Sequence, residues 1–268
     1  MIACARMYAV SPAVADAWRR LFAWVAERAR VSLAVVDHPA PAPLGDLWAR
    51  PDMACVFMCG LPLVRRSPAP HPVAAPVASP PRYGGRAAYF TDFVVRADAA
   101  WTRLEDTFGA RFAFTTEDSH SGYNAARFHL LAHRRPARPA LYRRVLGPYV
   151  TPRRVLDAVL SGEADVAPLD SYVLDLLRRH EPKLVSGVRV VDSTDAAPIP
   201  PLVAAAGIDD TARERLTHAL LEVDRAPELR PLLDALVISR FAAVQVADYA
   251  VLLERATAAE AAGYARIA

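Results

Sequence analysis

Short apolar runs of strand length alternate, from the first residue on, with segments whose apolar side chains recur every three or four positions. Residues 1–10 are largely apolar and end at Ser11-Pro12, a helix start with proline in the first turn. Residues 13–30 then place Val14, Trp18, Leu21, Phe22 and Val25 along one helical face. Residues 31–37 read as a second strand, 44–49 as a short helix, and 53–59 as a third strand ending at Gly60. This β-α-β-α-β order predicts a parallel sheet covered by helices. In open sheets of that kind ligands bind beyond the carboxyl ends of the strands, which selects Tyr8, Ser11 and Gly60 as candidates.

Residues 67–81 carry proline at 68, 70, 72, 76, 80 and 81. Proline lacks the N–H that a central strand needs, so the stretch is expected to be a loop with a short edge strand near 73–78. Residues 87–95 alternate aromatic and β-branched side chains and read as a long strand. A second β-α series follows, with a helix over 119–134, strands near 141–146 and 164–169, and a strand at 188–191. One more buried strand is expected at 202–206, and residues 210–264 are expected to be mostly helical. The predicted fold is α/β and two-lobed, each lobe a mixed, mostly parallel sheet flanked by helices. Residues 1–88 with 195–268 would form one lobe and 92–190 the other, with hinge strands at about 89–95 and 190–197.

Composition narrows the functional classes. Of 268 residues, 53% are hydrophobic and 23% charged, the profile of a globular protein with a sizeable core. The net charge of +3 comes from arginine, since Lys183 is the only lysine. No basic stripe alternates with aromatics, so nucleic acid is not expected as a partner. No apolar run approaches the roughly 20 residues of a membrane span, and the first residues read as a strand rather than an export signal. As written, the chain is expected to be a cytoplasmic monomer, or periplasmic if a leader was removed. Cys4, Cys55 and Cys59 lack metal-knuckle spacing and read as small buried residues. His129 and His133 stand four apart, but the sequence offers no third ligand, so no metal and no cofactor are expected.

Three segments carry a family resemblance. They are Tyr89-Phe90-Thr91-Asp92-Phe93-Val94-Val95-Arg96 with the following Gly109-Ala110-Arg111-Phe112-Ala113-Phe114, then Asp118-Ser119-His120-Ser121-Gly122-Tyr123-Asn124, then Gly162-Glu163-Ala164-Asp165-Val166-Ala167-Pro168-Leu169-Asp170. In this order and spacing they resemble the phosphate/phosphite/phosphonate-type substrate-binding proteins of ABC transporters, in motif detail over about 85–205. The resemblance implies a receptor that closes two lobes on one small molecule and hands it to a permease. It places the Ser-x-Ser-Gly stretch at a helix start facing the ligand. Physically, unpaired N–H groups and the partial positive charge of a helix start suit an anion. Ser119 and Ser121 would supply hydroxyls, Gly122 close approach, and His120, Tyr123 and Asn124 the rest of that turn. His120 would titrate near neutral pH and strengthen anion binding when charged. Tyr89 matches a cleft-facing position of the family, and Asp170 an acidic one that would favour a ligand bearing an amine or a protonated oxygen. The alternatives for these residues are helix capping by Ser119 or Asp170 and a core role for Tyr89.

The sequence also departs from the family pattern. His120 stands where the phosphonate binders usually have threonine, and the turn Gly147-Pro148-Tyr149 replaces a Gly-Ser-His turn of many relatives. Both changes remove phosphoryl donors and add rings, so a small organic acid or a ring-bearing metabolite competes with a phosphonate as ligand, with Tyr149 beside it. The second functional reading is an enzyme on the same fold, resembling chorismate dehydratase or thiamine-pyrimidine synthase relatives. His120 beside Glu117 and Asp118 would then be the general base. No nucleophile–base pair with an orienting third group and no nucleotide loop accompanies it, so no catalytic residue is assigned.

Overall fold

The computed structural model describes residues 1–268. Strand β1 (Ile2–Cys4) leads into helix α1 (Pro12–Ala29). Ser11 starts that helix by accepting from Val14 N at 3.3 Å, Pro12 occupies its first turn, and Arg30 ends it at φ 55°. Val14, Trp18, Leu21, Phe22 and Val25 are all buried, as their spacing predicts. Strand β2 (Ala34–Val35), helix α2 (Leu44–Trp48), strand β3 (Met53–Phe57) and helix α3 (Gly60–Arg65) complete the first series. Both β2 and β3 pair with β1 in parallel.

Strand β4 (His71–Ala78) corrects the reading of the proline-rich stretch. It is no edge strand but lies inside a six-stranded sheet, and Ala74, Ala75, Val77 and Ala78 are buried. Pro72 and Pro76 each forfeit a ladder bond, and both neighbouring ladders slip in register. Burial of the intervening small residues offsets that loss.

The next elements are strands β5 (Ala88–Tyr89), β6 (Thr91–Arg96) and β7 (Arg111–Ala113), helix α4 (Ala125–Leu130), strand β8 (Arg144–Leu146) and helix α5 (Pro152–Leu160). Strand β9 (Val166–Asp170), helices α6 (Ser171–His180) and α7 (Pro182–Val185), and strands β10 (Val188–Ser193), β11 (Ala197–Pro198) and β12 (Leu202–Ala204) follow. The chain ends with helices α8 (Asp210–Leu221) and α9 (Arg230–Ala235), strand β13 (Ile238–Ala242) and helix α10 (Ala250–Ala261). Strand β13 interrupts a region whose sequence reads as helical.

The six-stranded sheet runs β13-β4-β12-β3-β1-β2 and the five-stranded sheet β10-β6-β9-β7-β8. Parallel ladders join β1 to β2 and β3, and β7 to β8 and β9. The remaining ladders of both sheets are antiparallel, so the sheets are mixed without a parallel majority. Strands that arrive from distant chain segments are free of the crossover rule that makes neighbouring β-α-β strands parallel.

Two compact units result: Met1–Ala88 with Pro198–Ala250, and Tyr89–Ala197 with Val251–Ala268. The chain therefore passes between them three times, not twice, and residues 251–268 leave the unit to which the sequence reading assigned them. Tyr264 and Ile267 join the core of Phe93, Val95, Phe112, Tyr123 and Leu130, which supplies the apolar burial that holds the terminal segment there.

Candidate functional site

The Ser-x-Ser-Gly stretch lies in the second unit, where one expected helix is three helical forms in succession. A π-helical turn spans His120–Asn124, α4 follows, and a 3₁₀ turn covers Leu131–His133. Asn124 N donates to Ser119 O at 3.0 Å, the wide spacing that defines the π turn. Gly122 permits the turn's close seat on the end of β7's chain: a Cβ there would meet Thr115 Oγ1 at 1.9 Å. Ser119 is the N-cap, its Oγ accepting from Gly122 N at 3.0 Å.

The neighbouring strands hold the turn from below. Thr91 Oγ1 donates to Ser121 O at 3.1 Å, and Thr91 pairs in register with Asp170 on β9. Thr91 shares its strand face with Phe93 and Val95, an alternation that marked it as inward-facing although the sequence reading passed it over. The Ser121 hydroxyl itself has no partner within the protein, and Ser121 is buried.

His120 is fully buried. Burial lowers its pKa from 6.5 to about 3, with the charge of Arg255 adding to the effect, so the ring is neutral at physiological pH. This overturns the expected titration near neutrality: a ring with no solvent contact loses too much hydration on becoming charged. The tautomer follows from its neighbour. Asn124 accepts from Arg127 Nη2 on Oδ1 at 3.1 Å and donates from Nδ2 to Leu252 O at 3.2 Å, which fixes the amide's orientation. Asn124 Nδ2 therefore donates to His120 Nδ1 at 3.3 Å, and the ring proton sits on Nε2. Tyr89 is buried with its ring centroid 6.1 Å from that of His120.

Other expected site residues have structural work. Asn124 joins α4 to α10, and with Arg127 binds the carbonyls of Leu252, Ala256 and Ala265. Tyr123 packs its ring on Phe114 at 4.9 Å and accepts from Ile267 N at 3.1 Å. Both side chains thereby bond to the terminal segment, Tyr123 through Ile267 N and Asn124 through Leu252 O. Asp170 caps α6, its Oδ1 accepting from Tyr172 N at 2.9 Å and Val173 N at 3.2 Å. Tyr149 donates to Glu163 Oε1 at 2.6 Å, and partial burial followed by that bond pushes its pKa up to about 12. Gly147 before it adopts φ +149° with Phe114 closer than any side chain would allow.

In the first unit, Tyr8 is buried with its ring edge-on to Phe57 at 4.9 Å, and Ser11 uses its hydroxyl as the α1 cap. Gly60 opens α3 and is buried. Cys4, Cys55 and Cys59 are buried thiols, and burial pushes Cys55 up to about 12. No helix is long and apolar enough to cross a membrane.

Comparison with known proteins identifies the family and the fold. The family described as ABC transporter, phosphonate, periplasmic substrate-binding protein matches residues 10–249. Among solved structures, a binding protein component of an ABC phosphonate transporter from Pseudomonas aeruginosa superposes with TM-score 0.78 at 15% identity, covering 98% of this chain and 86% of that one. PhnD1 from Prochlorococcus marinus, in complex with methylphosphonate, gives TM-score 0.75 at 17% identity and covers 97% of both chains. XAC2383 from Xanthomonas citri, bound to ATP, gives 0.67 at 19% identity over 98% of both. No curated protein sequence matches.

Proposed function

Because the chain belongs to the family of periplasmic substrate-binding proteins of phosphonate ABC transporters, we propose that its second unit grips the anionic head of a small phosphonate through the helical turn opened by Ser119. The chain is a solute receptor with a small-molecule ligand and a permease partner. The enzyme reading is set aside, since family and structural neighbours are binding proteins. The family's place is the periplasm. We take the receptor to act as a monomer without a nucleic-acid partner.

The observation that carries the proposal is the Ser121 hydroxyl, which has no protein partner and sits in the first turn of a continuous helical stretch. Helix starts favour negative charge, and a hydroxyl adds a donor aimed at the same charge. His120 contributes as a neutral Nε2–H donor, a group that can bind an oxyanion without a charge of its own. Tyr89 adds a ring beside it, and Gly122 lets the turn seat closely against Thr115. Asp170 supports the site through α6, since its Oδ1 is committed to the cap.

The test is calorimetric titration of wild type and Ser121→Ala with methylphosphonate, other small phosphonates, carboxylates and sulfonates. A hydrogen bond to a charged group contributes roughly 1.5–3 kcal/mol. Ser121→Ala should therefore bind a phosphonate at least about tenfold more weakly. Equal affinity for wild type and variant would move the anion site away from this turn. Tight binding of a carboxylate with none of any phosphonate would overturn the ligand class.

A further inference from the structure

We propose that His129, His133 and Asp192 form a binding site for a Zn²⁺-class transition-metal dication, separate from the Ser119 turn. The sequence shows only the two histidines at i,i+4 spacing. The fold adds the third ligand from strand β10: the candidate donor atoms of the three side chains all lie within 4.8 Å of one another. A tetrahedral zinc ion with ligand bonds near 2.0–2.1 Å needs its donors about 3.3 Å apart, so side-chain adjustment of about an ångström closes the set.

The surroundings orient each ligand. Asp192 Oδ1 accepts from Ser193 N at 2.8 Å, which turns Oδ2 toward His129 Nε2, 2.8 Å away. The His129 ring lies over Phe93 at 5.4 Å, and the His133 ring meets Phe108 edge-on at 5.3 Å. Glu105 Oε1 stands 3.6 Å from His133 Nδ1, beyond hydrogen-bond distance but near enough for its charge to favour a cation there. Side-chain exposures of 24%, 21% and 35% for His129, His133 and Asp192 leave the site open to ions from solvent. Two imidazoles and one carboxylate suit zinc, cobalt or nickel better than magnesium or calcium, which prefer oxygen ligands throughout. The ion would tie β10 to the end of α4 and the 3₁₀ turn after it.

The experiment is titration of the metal-free protein with Zn²⁺ by calorimetry, and with Co²⁺ by visible absorption, for wild type, His133→Gln and Asp192→Asn. Wild type should bind one Zn²⁺ per chain, and Co²⁺ should give the strong visible bands of a four-coordinate site with nitrogen ligands. Each variant should bind at least about tenfold more weakly, since even outer partners of a metal site cost that much. His133 lies outside the strand ladders, so His133→Gln keeps the fold and decides the matter if Asp192→Asn melts early in the absence of metal. No saturable binding to wild type, or undiminished binding to His133→Gln, would overturn the proposal.

Discussion

Gly122 approaches Thr115 so closely that a Cβ on Gly122 would lie 1.9 Å from Thr115 Oγ1 and 3.0 Å from Thr115 Cβ. The contact locks the π turn onto the end of the neighbouring strand, where Tyr149 N and Val150 N also bond to Phe114 O and Thr115 O. Gly122→Ala should therefore destabilise the protein by about 1–3 kcal/mol, the usual range for overpacking. Thr115→Gly in the same background should recover part of that loss, read as a shift in urea midpoint. Wild-type stability for Gly122→Ala alone would show that the turn can move away freely.

The two serines of the turn should separate by readout. Ser119 is the cap, so Ser119→Ala should lower stability by about 1 kcal/mol. Ser121 caps nothing, so Ser121→Ala should cost less stability than Ser119→Ala, within about 1 kcal/mol of wild type. Equal stability losses in chemical denaturation would contradict the assigned roles.

His120 gives a signed pH dependence. Its folded pKa of about 3 lies below the ordinary value of 6.5, so the unfolded chain binds more protons between those limits. Stability from this residue is fully present above about pH 6.5 and is lost as pH falls toward about 3. His120→Asn keeps an acceptor for Asn124 and removes the titration, so its stability should fall less than that of wild type on acidification. The ring resonance of His120 should show no titration between about pH 5 and 8. A midpoint near neutrality in that spectrum would return His120 to the role its sequence context suggested.

Arg127 is buried and donates to the carbonyl oxygens of Ala256 and Ala265 and to Asn124 Oδ1. Arg127→Met fills much of the volume but leaves those acceptors without their donor, at about 1–3 kcal/mol for a buried orphan. Thermal melting should show the loss, and limited proteolysis should cut first within residues 251–268. A terminal segment as protected as in wild type would mean that Tyr264 and Ile267 hold it unaided.

Local signals were sufficient for many element types, α1 among them, though not for β13 or for the π turn at His120–Asn124. Ser11-Pro12 and the spacing of Trp18, Phe22 and Val25 determine α1 because a cap and an apolar stripe act within a few residues. The three motifs from Tyr89 to Asp170 likewise carried the family, since each is contiguous. What tertiary structure decided are relationships between residues far apart in the chain. Strand β4 is interior because β12 and β13 arrive from much later to cover both its edges, and no local rule about proline could anticipate them. Tyr123 and Asn124, expected from the sequence at the ligand, also bond to Ile267 N and Leu252 O, which arrive with the distant terminal segment. The sequence lacked a third ligand for His129 and His133 because Asp192 lies 63 residues from His129, and only the pairing of β10 with β6 brings it near. Periodicity reports which face a side chain occupies, whereas the partner on that face depends on how distant strands and helices pack.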